Sequence, residues 1–201
     1  MWDERYGKEE EFAYGTEPND FLKETITSAG SSNDKKKKCL LLADGEGRNG
    51  VFMAEQGFNV VSVDFSETGL KKAQALAKSR GVTIETVVAD LASYDLGTEQ
   101  WDCIVGIFCH LPPPVRAKVL EGIPDSLKEG GQFLLECYTP DQLQYKTGGP
   151  PTADFMFSKQ LLDEALGTKL QVIRNEEVVR TVTEGKLHTG KAAVVQFIGK
   201  K

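Results

Sequence analysis

Several residue types are scarce, and each scarcity excludes a class of protein. The 201 residues include four cysteines and two histidines. Cys39, Cys103, Cys109 and Cys137 form no C-x-x-C pair and have no zinc-site spacing, so neither a disulfide framework nor a bound metal is expected. Each sits in or beside an apolar run, as buried reduced thiols do. No apolar stretch approaches the roughly 18 residues that span a bilayer. The first residues, Met1-Trp2-Asp3-Glu4-Arg5, carry charge where a signal peptide carries an apolar core, so a cytoplasmic protein away from membranes is expected. An excess of positive charge is missing too. The net charge is -6 and the pI about 5.1, which argues against nucleic-acid binding but leaves a small anionic substrate open. No repeat and no low-complexity segment is visible.

What is present describes a globular chain: 40% hydrophobic and 27% charged residues. The length suits one domain, able to bury about 70% of its unfolded surface. Residues 1–38 read as an N-terminal arm and helix forming a cap, and 39–201 as one globular unit. A monomer or weak dimer is expected. In the arm, Tyr14-Gly15-Thr16-Glu17-Pro18-Asn19 reads as a turn, and Asp20 as the cap of a helix to about Ser28. Gly30 to Asp34 breaks that helix, and Lys35 to Lys38 form a solvated basic run.

From Cys39 the pattern becomes regular. Cys39-Leu40-Leu41-Leu42-Ala43 is a short apolar run of the kind buried on both faces. A glycine-rich turn and a helix from about Val51 to Gly57 follow. Val60 to Asp64 is a second strand, Glu67 to Ser79 a helix, Thr83 to Ala89 a third strand and Trp101 to Phe108 a fourth. Pro112-Pro113-Pro114 opens a helix to about Leu127, expected to be irregular at Gly122 and Pro124, before a fifth strand from Gln132 to Tyr138. Strands alternating with helices imply a parallel sheet with right-handed crossovers. The alternation then stops. After a Gly/Pro-rich loop over 139–157 and a short helix from Ser158 to Leu166, strands at Lys169–Thr183 and Ala192–Ile198 flank a loop, as in an antiparallel hairpin.

Gly45-Glu46-Gly47-Arg48-Asn49-Gly50 matches G-x-G-x-x-G between a strand and a helix. Glycines let a ligand approach the backbone, and the helix start offers unpaired N–H groups. Asp64, at the end of the second strand, can accept hydrogen bonds from ribose hydroxyls. These features alone suit NAD, a tight structural turn, or another adenosine cofactor. The NAD reading is disfavoured because a dinucleotide fold needs a second set of parallel βα units, and here an antiparallel hairpin takes its place. Asp90, at the end of the third strand, can reach an adenine edge or simply cap a turn.

Leu42-Ala43-Asp44-Gly45-Glu46-Gly47-Arg48-Asn49, Val61-Ser62-Val63-Asp64-Phe65-Ser66, Ala89-Asp90, Trp101-Asp102 and Leu127-Lys128-Glu129-Gly130-Gly131 resemble, in order, the motifs of class I S-adenosyl-L-methionine (SAM) dependent methyltransferases. The resemblance covers about 39–140 and extends through the hairpin. Within that superfamily the chain is most similar to the small tellurite-resistance type, on Trp2-Asp3-Glu4-Arg5-Tyr6 and the Gly-Arg-Asn turn. The resemblance implies a Rossmann-like α/β fold: a seven-stranded mixed sheet, a C-terminal antiparallel hairpin, and helices on both faces. It implies SAM as cofactor, held by Asp44, Gly45, Gly47, Arg48, Asn49, Asp64, Phe65, Asp90, Leu91 and Phe108. Two departures are visible: Leu41 stands where the family often has an acid, and Ala43 where it often has glycine. Either Asp44 substitutes for the acid or backbone groups hold the methionine amine.

Ligands should sit at the carboxyl ends of strands 1 and 4, where the strand order reverses. Strand 4 ends at Phe108-Cys109-His110, so Phe108 is a candidate for contact with the sulfonium and Cys109 for a packed wall. His110 reads equally as a substrate contact or a loop-fixing residue. Tyr138 ends strand 5, with its hydroxyl toward the site. The tellurite type carries Leu-His-Arg in its hairpin, where the His and Arg serve the substrate. Leu187 and His188 match, and Thr189 stands at the arginine, with Arg5 or Lys191 as substitutes for the missing charge. His188, His110 and Tyr138 are therefore the candidate catalytic residues. Trp2, Tyr6 and Tyr14 are expected either to form a lid or merely to pin the arm. Arg116 and Lys118 read as solvated. The expected activity is methyl transfer from SAM to a small-molecule acceptor, a thiol or a chalcogen oxyanion. The rivals are a noncatalytic SAM- or nucleotide-binding module and an NAD-linked oxidoreductase.

Overall fold

Alternate residues of each central strand face opposite sides, and the core divides accordingly. In a computed structural model, which describes residues 2–7, 12–28, 37–185 and 188–201, strand β1 (Lys38–Leu42) sends Leu40 and Leu42 to one side and Cys39 and Leu41 to the other. Strand β4 (Trp101–Ile107) divides in the same way, with Ile104 opposed to Cys103 and Val105. Against the second face pack Leu22 and Ile26 of α2 (Asp20–Ser28) and Phe52 and Met53 of α3 (Arg48–Glu55). Against the first pack Val119, Leu120 and Ile123 of α5 (Pro113–Ser126) and Leu162 and Leu166 of α6 (Lys159–Leu166). Period-2 strands between period-3.6 helices produce this three-layer arrangement.

The remaining elements are α1 (Trp2–Gly7), β2 (Asn59–Asp64), α4 (Glu67–Ser79), β3 (Glu85–Val88), β5 (Leu127–Tyr138), β6 (Gln171–Glu184) and β7 (His188–Lys200). The sheet has seven strands in the order β3-β2-β1-β4-β5-β7-β6. Pairs from β3 to β5 are parallel, while β7 is antiparallel to both β5 and β6. The expected mixed sheet and hairpin are thus present. The order reverses between β1 and β4, which places the switch point at their carboxyl ends.

Several boundaries differ from the sequence expectation. Helix α2 is capped by Asn19, whose Oδ1 accepts the Leu22 N–H at 3.0 Å, and Asp20 is its first residue. Helix α5 runs unbroken through Gly122 and Pro124, because Val119, Leu120 and Ile123 bury one face around them. Strand β5 begins five residues early, at Leu127. Gly131 fits there because a Cβ would stand 2.9 Å from the Trp101 carbonyl oxygen. Strand β7 begins at His188, paired with Glu184, so His188 is a strand residue rather than a loop residue. The Gly30–Asp34 break, Lys35, Lys36, Leu187 and the side chains of Trp2 and Arg5 lie outside the described residues, as do the expectations that rest on them.

Candidate active site

The β1–α3 turn is built from residues with left-handed backbone. Gly45 (φ +57°) and Gly47 (φ +84°) supply it freely, and Ala43 adopts it at φ +52° despite its Cβ. The turn therefore keeps the shape expected of a glycine at 43, at a cost of about 1 kcal/mol. Phe108, which follows β4, is also left-handed at φ +51°. Two strained residues thus end the neighbouring strands at the switch point, where such strain is characteristic of functional sites.

Two buried carboxylates hold this turn. Asp44 turns inward: its oxygens accept the Ser62 hydroxyl at 2.7 Å and the Gly50 N–H at 3.2 Å. Burial raises its pKa from 3.8 to about 6. Asp44, the candidate substitute for the missing acid, thus ties the turn to β2. Asp64 accepts the Gly45 and Ser66 N–H groups, both at 2.8 Å, bridging the turn to the start of α4; burial raises its pKa. Next to it Phe65 is 67% exposed, and Val88 at the end of β3 is 56% exposed. Asp90 caps its own turn through the Ala92 N–H at 2.8 Å, and Leu91 is buried in the core.

The arm lies across this turn. Asp3 accepts the Ser66 hydroxyl and the Thr68 N–H at the start of α4. Tyr6 is buried, and a Cβ on Gly45 would stand 2.5 Å from its hydroxyl, so only glycine admits that approach. Glu46 accepts the Ala13 N–H at 2.7 Å and pairs with Lys72 at 2.9 Å.

On the other side of the switch point, rings from four segments meet. The His188 ring centroid lies 4.5 Å from Tyr14, 4.6 Å from Phe108 and 5.5 Å from Tyr138. His188 thus lies beside Phe108, at the end of β4. His110 is the loop-fixing residue of its two readings. One ring nitrogen lies 3.1 Å from the Phe155 carbonyl, the other receives the Tyr138 N–H at 3.5 Å, and burial pushes its pKa down to about 4. Tyr138 is 1% exposed and burial raises its pKa, so it forms wall rather than an open hydroxyl. Cys109 lines a small apolar cavity with Leu42, Gly106 and Phe157, and burial pushes its thiol up to about 12, as befits a packed residue.

A buried ionic network anchors this side. Glu136, fully buried in β5, accepts from Arg180 at 2.5 Å, Gln196 at 2.6 Å and Asn19 at 2.7 Å. Glu184 accepts from the same Asn19 side chain at 2.8 Å and from Arg48 at 2.5 Å. Burial works against the Arg180 charge, but Glu136 and Glu184 outweigh it and raise its pKa. The Asn49 side chain accepts the Asn19 N–H at 3.0 Å. The side chains of Arg48 and Asn49, expected at the cofactor, are thus committed to the arm and hairpin. Arg116 is half-buried rather than solvated, donating to the Asp154 and Met156 carbonyls. Lys118, exposed, reaches the Ala92 carbonyl. Sequence reasoning missed the network. Its one visible signal was Glu136, a charge inside the apolar run Phe133–Cys137.

Comparison with known proteins agrees with the fold. A methyltransferase domain family model matches residues 40–131. A Geobacillus protein named as a methyltransferase is 31% identical over 114 residues, covering 54% of this chain and 45% of the relative. The chain spans under half the length of the curated relatives it matches. Among solved structures, one described as converting a disulfide bond into a thioacetal group during echinomycin biosynthesis has a TM-score of 0.77 at 14% identity, covering all of this chain and 90% of that one. Haemophilus influenzae TehB has a TM-score of 0.69 at 19% identity, covering 89% of this chain and 62% of that one. TehB is one of many such neighbours, so the tellurite-type subfamily is not specifically favoured. The chain has the class I methyltransferase fold, and its residues 40–131 match a methyltransferase domain family model.

Proposed function

We propose that the protein transfers a methyl group from SAM to a small-molecule acceptor. The observation that carries this reading is the pairing of Asp64 and the glycine turn with the ring cluster at Phe108 and His188 across one switch point. The residues fit the cofactor. Asp64 offers a carboxylate to ribose hydroxyls beside the uncovered apolar surface of Phe65 and Val88, and Gly45 and Gly47 allow close backbone approach. Asp90, Leu91 and Phe108 complete that set, while Asp44, Arg48 and Asn49 support it from behind. The bound cofactor would supply an electrophilic methyl on a sulfonium. The protein's task is to align a nucleophile with it and to exclude water. His188 stands on the acceptor side and takes the acceptor proton where there is one, with Tyr138 and His110 shaping the wall. The arm residues 2–7 and 12–28 act as the cap over both halves.

Calorimetric titration with SAM, S-adenosylhomocysteine and NAD tests the reading, followed by assay of S-adenosylhomocysteine release with thiols, selenite and tellurite. Binding of S-adenosylhomocysteine with turnover supports it. Binding with no turnover on any acceptor leaves a noncatalytic module, and binding of NAD alone overturns it.

A further inference from the structure

The side chains of Glu46, Arg48 and Asn49, around and just after the last turn glycine, all reach the arm or the hairpin. Glu46 accepts the Ala13 N–H at 2.7 Å, and Asn49 accepts the Asn19 N–H at 3.0 Å. Arg48 donates to the Glu17 carbonyl at 3.3 Å and to Glu184 at 2.5 Å. Asn19 gathers these connections into one residue. It is fully buried, and each of its polar groups is used. Its N–H goes to Asn49, its carbonyl accepts the Lys23 N–H at 2.9 Å, and its Oδ1 accepts the Leu22 N–H at 3.0 Å. Its Nδ2 donates to Glu136 at 2.7 Å and to Glu184 at 2.8 Å. An amide is the group that fits, because two N–H donors meet two carboxylates while one oxygen meets an N–H. Asn19 thereby joins the start of α3, the first turn of α2, β5 and the end of β6. Glu184 is in turn paired across the hairpin with His188.

We propose that Asn19 and Arg48 are positioning residues that couple cofactor binding at the glycine turn to the seating of the arm and the hairpin. This inference rests on the methyltransferase reading above. Two routes run from the turn to the acceptor side. One is direct, from Arg48 to Glu184. The other passes through the arm, from Asn49 to Asn19 to Glu184. A ligand that fixes the backbone of Gly45 and Gly47 fixes the neighbours from which both routes start. Linkage makes the effect reciprocal: a seated arm and hairpin hold the turn in the shape that binds the cofactor. The cap is then in place when the electrophilic methyl is, which keeps water from the reacting groups.

The test is amide hydrogen exchange with and without saturating S-adenosylhomocysteine, with affinity measured by calorimetry in parallel. Exchange is read over residues 12–28 of the arm and over 178–185 and 188–196 of the hairpin. In the wild type the ligand should slow exchange in both segments by about fivefold, a coupling of ordinary size. Asn19→Asp keeps the volume and the oxygen that caps α2, but turns a second oxygen toward Glu136 and Glu184. It should lose the ligand response of the arm, keep that of the hairpin through Arg48, and bind S-adenosylhomocysteine about fivefold more weakly. Arg48→Met leaves Glu184 its contacts with Asn19 and Arg180. It should keep the response of the arm and reduce that of the hairpin. A merely structural role would lower protection with and without ligand alike, and leave the difference between the two unchanged. The wild-type measurement and Arg48→Met stand whether or not Asn19→Asp folds. Binding of S-adenosylhomocysteine with no slowing in the arm or hairpin of the wild type overturns the proposal and leaves the cofactor reading standing, as does a full wild-type response in Arg48→Met. Absence of S-adenosylhomocysteine binding in wild type overturns the cofactor reading itself, and this inference with it.

Discussion

The glycine turn and the ring cluster sit at one switch point but are made in opposite ways. The turn is local. Residues 43–50 bend themselves with left-handed backbone, and Asp44 satisfies Gly50 six residues away. The cluster is assembled from residues 14, 108, 138 and 188, which only the folded sheet brings together. Support differs as well. The turn rests on backbone hydrogen bonds to two carboxylates, whereas the arm and hairpin beside the cluster are held by buried ion pairs around Glu136 and Glu184. A site half can thus be encoded in a short segment or in a network, and the second kind is more exposed to distant change.

Four experiments would break or sharpen this contrast. Glu136→Ala leaves Arg180 without its main partner, and breaking a buried pair costs about 3–5 kcal/mol. Chemical denaturation should show a loss of that size. In the protein that remains folded, acceptor turnover should fall far more than S-adenosylhomocysteine affinity. Equal loss of both would mean that the two halves are one cooperative unit.

Gly47→Val attacks the local half. Its first side-chain carbon would stand 2.4 Å from the Ala73 Cβ, on backbone at φ +84°. Overpacking and strain together should destabilise by about 3 kcal/mol, with S-adenosylhomocysteine binding lost in calorimetry. Retained binding would show that the turn is not the cofactor cradle.

The third concerns pH. Asp44 has a folded pKa of about 6, above its ordinary 3.8. The folded state therefore takes up a proton that the unfolded state lacks between those values. The stabilisation from this proton is complete below the unfolded pKa and is lost as pH rises through 6. Its size is about 3 kcal/mol, and Asp64 shifts in the same direction. Asp44→Asn should flatten this part of the stability profile measured by urea denaturation from pH 4 to 8. An unchanged profile would assign the titration elsewhere.

Asp64→Ala has the smallest expected effect: about tenfold weaker S-adenosylhomocysteine binding, or about 1.4 kcal/mol, with the fold intact. Both oxygens of Asp64 already accept backbone N–H groups, so the variant also frees Gly45 and Ser66. Unchanged affinity would place the ribose away from β2.

The parts of the site legible in the sequence were those set by neighbours along the chain. The strand-turn-helix at 39–55, the acid closing β2 and the alternation of strands and helices all follow from local periodicity and turn chemistry. The hairpin was legible in the same way, and the resemblance added His188. Illegible were the destinations of polar side chains. Arg48 and Asn49 stood inside the motif yet turned toward Glu184 and Asn19, because those partners are 136 and 30 residues away. His110 was undecided until its two ring nitrogens met Phe155 and Tyr138.

By itself, then, the sequence determined the class of fold, the order of elements and the position of the glycine turn, since each is written in hydrophobic period and backbone freedom over a few residues. Only the tertiary structure decided which charges pair and which rings meet. Burial makes an unpaired charge expensive, so each buried ion must find its partner wherever the fold brings one near, irrespective of distance along the chain.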